Sequence, residues 1–208
     1  MILIGQYDSP FVRRVAITLR RYALSFEHRP WSVWGDAERI AAHNPLRRVP
    51  TLLLPDGTAL VETFAIIDVL DEMAGPERAL LPRGGPVRRE GLRVAALASG
   101  LADKAVSLLY EGMFRPQPSE SWMSRCRRQI ADTLAVLEAE RAARPSAYWL
   151  GSSLSHADVA FTCALRFTRD AHPGLFDAAR HPALEAAAGA CEQLPEFREI
   201  YQPITNVV

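Results

Sequence analysis

Three short stretches in the first third of the chain carry side chains suited to holding an anion. In Tyr7-Asp8-Ser9-Pro10-Phe11 a serine directly precedes a proline. Proline is favoured in the first helical turn and serine just before it, so the Ser9 hydroxyl and the nearby amides stand at a helix N-terminus without intrahelical partners. Ser9 is then either an ordinary cap or one wall of an anion site. In Asn44-Pro45-Leu46-Arg47-Arg48-Val49-Pro50-Thr51, Pro50 opens a strand. The Val49-Pro50 bond is either an ordinary trans bond or a cis bond that turns the Val49 backbone outward to meet an extended ligand. In Val61-Glu62-Thr63-Phe64 an acid and a hydroxyl precede a helix, which is either a plain helix start or a second grip on a ligand.

Other chemistries find little support. Cys126, Cys163 and Cys191 are odd in number and far apart, with no C-x-x-C, so neither a disulfide scaffold nor a zinc site is expected. The histidines at 28, 43, 156, 172 and 181 form no ligand pattern, and no metal is assigned. Of 208 residues, 24 are basic and 24 acidic. A chain with zero formal charge has no overall field to draw in phosphate backbones or anionic lipid, so neither nucleic acid nor membrane is an expected partner. Lys104 is the only lysine, and the arginine doublets, Arg13/Arg14 and Arg20/Arg21 among them, read as solvated faces. The start of the chain has no basic region followed by a long apolar one, and no apolar run reaches about 18 residues. The expected location is cytoplasmic.

The elements that must position these groups divide the chain into two unlike parts. Short apolar runs at 2–7, 50–54 and 58–61 read as strands, the last two joined through Pro55-Asp56-Gly57 as a hairpin. Residues 25–31 are a weaker strand candidate. Helical spacing predicts helices over 11–22 and 63–74, giving the order β-α-β, then α, then β-β-α. Proline and glycine concentrate between Gly75 and Pro86, a linker signal. Beyond it the Ala- and Leu-rich composition predicts only helices, one over 88–110 and another carrying Trp122, Cys126, Ile130, Leu134 and Leu137 on one stripe. In Leu154-Ser155-His156-Ala157-Asp158-Val159, Ser155 and Asp158 form a capping box and Leu154 and Val159 a hydrophobic staple, so a helix starts at His156 with a structural role. The domains are read as 1–76, a linker at 77–87, and an all-helical domain over 88–208.

The three stretches in this order, on this frame, resemble the cytosolic glutathione transferases over nearly the whole chain. S-P-F followed by a β-branched residue and arginine, here Val12 and Arg13, is similar to the serine-type, tau-like and bacterial branches. The resemblance implies an α/β thioredoxin-like N-terminal domain joined to an all-α C-terminal helical domain, with glutathione as cosubstrate and no metal. Ser9 takes the place of the serine that hydrogen-bonds the glutathione sulfur. Val49, before Pro50, matches the residue whose main chain pairs with the cysteinyl unit. Arg48 matches a basic position that meets the glycyl carboxylate. Glu62 and Thr63 match the Glu-Ser pair that holds the γ-glutamyl end, with threonine keeping the hydroxyl. Arg47 stands where many relatives have a small residue or lysine.

The implied activity is attack of an activated glutathione thiol on a small hydrophobic electrophile. The alternatives are a non-catalytic binding or scaffold protein of the same fold, or a glutathione-dependent isomerase, dehalogenase or peroxidase. Tyr7 is the rival to Ser9 as thiol activator. With serine rather than cysteine at position 9, little thiol reductase activity is expected. Trp31, Trp34, Tyr110, Phe114 and Trp122 are candidates for lining the electrophile site. The family is usually a homodimer, and Asp103 stands where an acid can reach glutathione in the partner subunit.

Overall fold

A computed structural model describes residues 1–204. The chain forms two compact units, and Leu80 and Leu81 flank the first division between them. The first unit is built on a four-stranded sheet of β1 (Ile2–Ile4), β2 (Glu27–Arg29), β3 (Thr51–Leu53) and β4 (Ala59–Val61), in the order β2-β1-β3-β4. β1 runs parallel to β2 and antiparallel to β3, and β3 pairs antiparallel with β4. The β3–β4 turn is held by Leu54 N–H donating to the Thr58 carbonyl (2.9 Å) and Thr58 N–H donating to Asp56 Oδ1 (2.9 Å), with Gly57 supplying a φ of 89°. The helices are α1 (Pro10–Arg21), the short α2 (Ala37–Ala41) and α3 (Thr63–Ala74).

Helix α1 has Pro10 in its first turn, Ser9 as its cap, and Arg20 and Arg21 in its last turn, where cations complement the helix dipole. It buries Val12, Val15, Ala16 and Leu19 and packs against α3. Residue 23 ends it with a positive φ of 54°. The close of the unit is pinned by Tyr22, whose hydroxyl donates to Asp71 and accepts the Leu80 N–H.

The second unit holds α4 (Gly85–Phe114), α5 (Glu120–Ala142), α6 (His156–Ala171) and α7 (Pro182–Glu192). α4 packs on α6 and α5, and it buries Ala95, Ala98, Ala102 and Ala105, small side chains that suit a close helix approach. At the head of α6 the Asp158 carboxylate accepts from Ser155 N–H (2.9 Å), Ser155 Oγ–H (2.6 Å) and Trp149 N–H (2.7 Å). The capping box read from the sequence is present, with Leu154 and Val159 buried beside it.

The structure departs from expectation in four places. The strands are shorter, β1 ending at Ile4 because Gly5 leaves the extended region at a φ of 129°. α4 begins at Gly85, inside the stretch expected as linker, because Pro86 lies in the first turn, where a missing N–H costs nothing. The last described residues do not belong to the helical unit: 194–204 return to the first, where α8 (Pro195–Glu199) packs on α1. Finally, Arg13 and Arg14 are not solvated but 3% exposed. Arg13 Nε donates to the Ile200 carbonyl (2.7 Å) and Nη2 to that of Phe197 (3.0 Å), so its buried charge satisfies carbonyls at the end of the chain.

Candidate active site

Strand register brings the three sequence stretches to one end of the sheet. Ile4 pairs with Thr51, and Thr51 with Val61, so one row of the sheet holds the end of β1, the start of β3 and the end of β4. The chain leaves that row through Gly5 toward Ser9, enters it from Val49-Pro50, and leaves it again at Glu62. Pairing fixes this convergence before any side chain is considered.

The Ser9 turn is closed by Ser9 N–H donating to the Gln6 carbonyl (3.2 Å), and Ser9 then caps α1, its Oγ accepting from Val12 N–H at a long 3.4 Å. In that role the hydroxyl is an acceptor, so its own proton is left to donate. The first turn of α1 holds no acid, so the positive end of the helix dipole is not offset from within the helix. Asp8 stands just outside. Burial pushes its carboxyl above the ordinary aspartate range, and the Ser9 and Asp8 backbone N–H groups pull it partly back.

The Val49-Pro50 bond is cis, the geometry the sequence left open. Val49 stands ahead of the ladder, which begins at Thr51. Gly5 seats it: a Cβ there would come within 2.8 Å of Val49 Cβ and 2.5 Å of Val12 Cγ2. Only glycine lets the loop and the head of α1 close on the strand end. The loop is tied from inside by buried Asn44, whose Nδ2 donates to the Arg48 carbonyl (2.9 Å) and to Thr51 Oγ1 (3.1 Å), while its Oδ1 accepts from Leu46 N–H (3.0 Å). Sequence reasoning did not assign Asn44 this role, although an asparagine opening an Asn-Pro turn was the available signal.

Glu62 precedes α3 at a φ of 67°, and its neighbour Thr63 is buried. A non-glycine residue in this region costs about 1–3 kcal/mol and persists where its surroundings hold it. Its Oε1 lies 3.1 Å from Arg48 Nη1, so two expected site residues from different loops meet. Both side chains are more than half exposed. Arg47, also at a positive φ, reaches away to Glu38 at 2.5 Å.

The remaining candidates lie as follows. The Tyr7 ring stacks on His28, centroids 3.8 Å apart and nearly parallel, and burial raises its phenol above the ordinary tyrosine range. Trp31 lies 6.2 Å from the His43 ring under the Arg29 and Arg39 guanidinium groups. Trp34 is exposed. In the second unit Tyr110 and Phe114 meet edge to face at 5.6 Å, Lys104 Nζ sits 5.4 Å over Trp122, and Asp103 pairs with Lys104 at 2.8 Å. Among the described residues no group of three or more His, Cys, Asp or Glu side chains is placed to hold a metal ion, and no helix is long and apolar enough to cross a membrane.

Comparison with known proteins agrees with this geometry. Residues 3–78 match the family described as glutathione S-transferase, N-terminal domain, and residues 120–187 its C-terminal domain. The uncharacterized GST-like protein YibF of Escherichia coli K12 is 32% identical over 139 residues, covering 66% of this chain and 68% of that one. A glutathione S-transferase from Methylobacterium radiotolerans, solved with glutathione sulfonate, superposes with a TM-score of 0.90 at 29% identity, covering 100% of this chain and 98% of that one. A glutathione transferase family member from Pseudomonas fluorescens, solved with glutathione, gives 0.85 at 30% identity, covering 98% and 99%. Matched in both halves and along its length, the chain belongs to the glutathione S-transferase family.

Proposed function

We propose that the protein is a glutathione transferase that binds glutathione at the Ile4–Thr51–Val61 end of its sheet and activates the thiol with Ser9. The observation that carries this reading is the convergence, by register, of a helix-capping serine, the Val49 main chain and an Arg48–Glu62 pair on one end of the sheet. The residues fit a zwitterionic tripeptide. Arg48 and Glu62 offer opposite charges to a carboxylate and an ammonium, Thr63 adds a hydroxyl, and Val49 lies outside the ladder where an extended main chain can pair with it. Bound glutathione would supply the thiol that attacks a small hydrophobic electrophile.

The work asked of Ser9 is modest. A free thiol near pKa 8.5 is only about 3% thiolate at pH 7, and lowering that value by two units takes about 2.7 kcal/mol. A hydrogen bond from Ser9 Oγ–H to a charged sulfur contributes about 1.5–3 kcal/mol, and the N-terminal end of α1 about 0.3–1 more. Together they suffice without a general base. Ser9 acts as a donor and not as a nucleophile, and holding both reactants in one site adds proximity.

The test is conjugation of glutathione to chlorodinitrobenzene. Ser9→Ala should lower kcat by about 10- to 100-fold, whereas Tyr7→Phe should stay within about threefold. The reverse ranking would overturn the assignment of Ser9. A wild-type protein that neither conjugates nor binds glutathione would point instead to a carrier or scaffold.

A further inference from the structure

We propose that Gln202 is a positioning residue for the turn that carries Ser9, so that the returning C-terminal segment forms part of the thiol-activating machinery of the first unit. The proposal rests on the reading of Ser9 given above.

Ser9 lies between two residues that the same segment grips. Four residues on, Arg13 in α1 sends its buried guanidinium to the Phe197 and Ile200 carbonyls. Two residues back, Tyr7 N–H donates to Gln202 Oε1 at 3.2 Å. Tyr7 is the second residue of the turn closed by Ser9 N–H and the Gln6 carbonyl. Its amide points out of that turn, and a backbone donor without an acceptor is costly. The Tyr7 ring is fixed on His28, which is itself held by an Nε2 contact of 2.8 Å with the Gly5 carbonyl. Gln202 therefore supplies the second of two holds on Tyr7, one on its backbone amide and the other, through His28, on its ring. With both in place the turn has one conformation, and that conformation sets where the Ser9 hydroxyl points. The segment itself is firmly seated: Phe197 and Ile200 are at most 1% exposed, and Arg21 pairs with Glu196 at 3.3 Å. The donor is a backbone N–H, so the side-chain atom facing it must be the amide oxygen, and substitutions can separate its acceptor role from its bulk.

The experiment compares Gln202→Met, which keeps the bulk and loses the acceptor, with Gln202→Glu, which keeps an acceptor oxygen. Amide hydrogen exchange at Tyr7 and Ser9 is read in the full chain, together with kcat and KM for glutathione in chlorodinitrobenzene conjugation. Gln202→Met should speed Tyr7 exchange and lower kcat by about threefold to tenfold each, with KM and the melting temperature little changed. Gln202→Glu should restore slow exchange. Unchanged exchange or unchanged kcat in Gln202→Met would overturn the proposal, as would a loss that appears only as lowered melting temperature. Should the wild type show no conjugation, it is the transferase reading that fails, and Tyr7 exchange by itself then decides whether Gln202 holds the turn, an unchanged rate overturning that too.

Discussion

Arg48 Nη1 stands 3.1 Å from Glu62 Oε1, a contact between the loop before β3 and the residue before α3. With both groups more than half in water, such a pair contributes about 0–1 kcal/mol to stability. Its place at the end of the sheet row suggests a different use: each partner keeps the other's charge oriented until a zwitterionic ligand takes up both. Arg48→Ala should therefore leave the urea midpoint almost unmoved while weakening glutathione binding by about tenfold, a hydrogen bond to a charged group being worth roughly 1.5–3 kcal/mol. Calorimetric titration and urea unfolding of the same variant check the two halves.

Glu62 holds a φ of 67° without being glycine. Alanine there keeps the strained backbone, whereas glycine relieves it. Ordinarily glycine is the less stable of the two by about 0.5–1 kcal/mol. Here the order should invert, Glu62→Gly being more stable than Glu62→Ala by about 1 kcal/mol, while both lose affinity for glutathione. Finding Glu62→Ala the more stable in urea would mean that the backbone at 62 is not strained.

Cys126, Cys163 and Cys191 are buried. Burial pushes the Cys191 thiol up to about 12 and raises Cys126 as well, so neither is a nucleophile near neutral pH. An aromatic disulfide reagent at pH 8 should find no fast-reacting thiol in the native protein and three after unfolding. One thiol reacting at the rate of free cysteine would contradict the burial of these side chains, and would reopen the disulfide chemistry that serine at position 9 argues against.

Asp158 is 1% exposed, and burial outweighs its hydrogen bonds, so its carboxyl stands above the ordinary aspartate range. A carboxyl whose pKa is higher folded than unfolded takes up a proton on folding. Its contribution is complete below the unfolded pKa and is lost as pH rises through the folded one. The stability gap between the wild type and Asp158→Asn should thus widen as pH falls from 7 toward 4, measured by urea unfolding at each pH. Asp158→Ala at pH 7 should cost about 3 kcal/mol, combining a lost cap with the Trp149 and Ser155 amides left without an acceptor.

What the sequence disclosed follows the range over which each interaction acts. The Ser155–Asp158 box, its staple and the Ser9-Pro10 helix entrance are complete within a few residues, so they could be read directly. The hairpin around Asp56-Gly57 was legible for the same reason. Arg13 was not: its doublet looks like Arg20/Arg21, which is exposed, and the difference lies in the Phe197 and Ile200 carbonyls, far along the chain. Pro86 read as a breaker because its residue type signals both a linker and the first turn of a helix. At the candidate site, Ser9, Val49-Pro50 and Glu62-Thr63 could be singled out by type and order. The Arg48–Glu62 contact, the positive φ at Glu62 and the reach of Gln202 to Tyr7 arise from strand register and chain return, which no local pattern carries.

Whether this chain lowers the pKa of a bound thiol can be read from an ultraviolet pH titration of glutathione bound to the pure protein, following the thiolate absorbance. If Ser9 activates the thiol, its bound pKa stands about two units below that of the free thiol and is largely restored by Ser9→Ala. Binding with no shift, or a shift that survives Ser9→Ala unchanged, would contradict it.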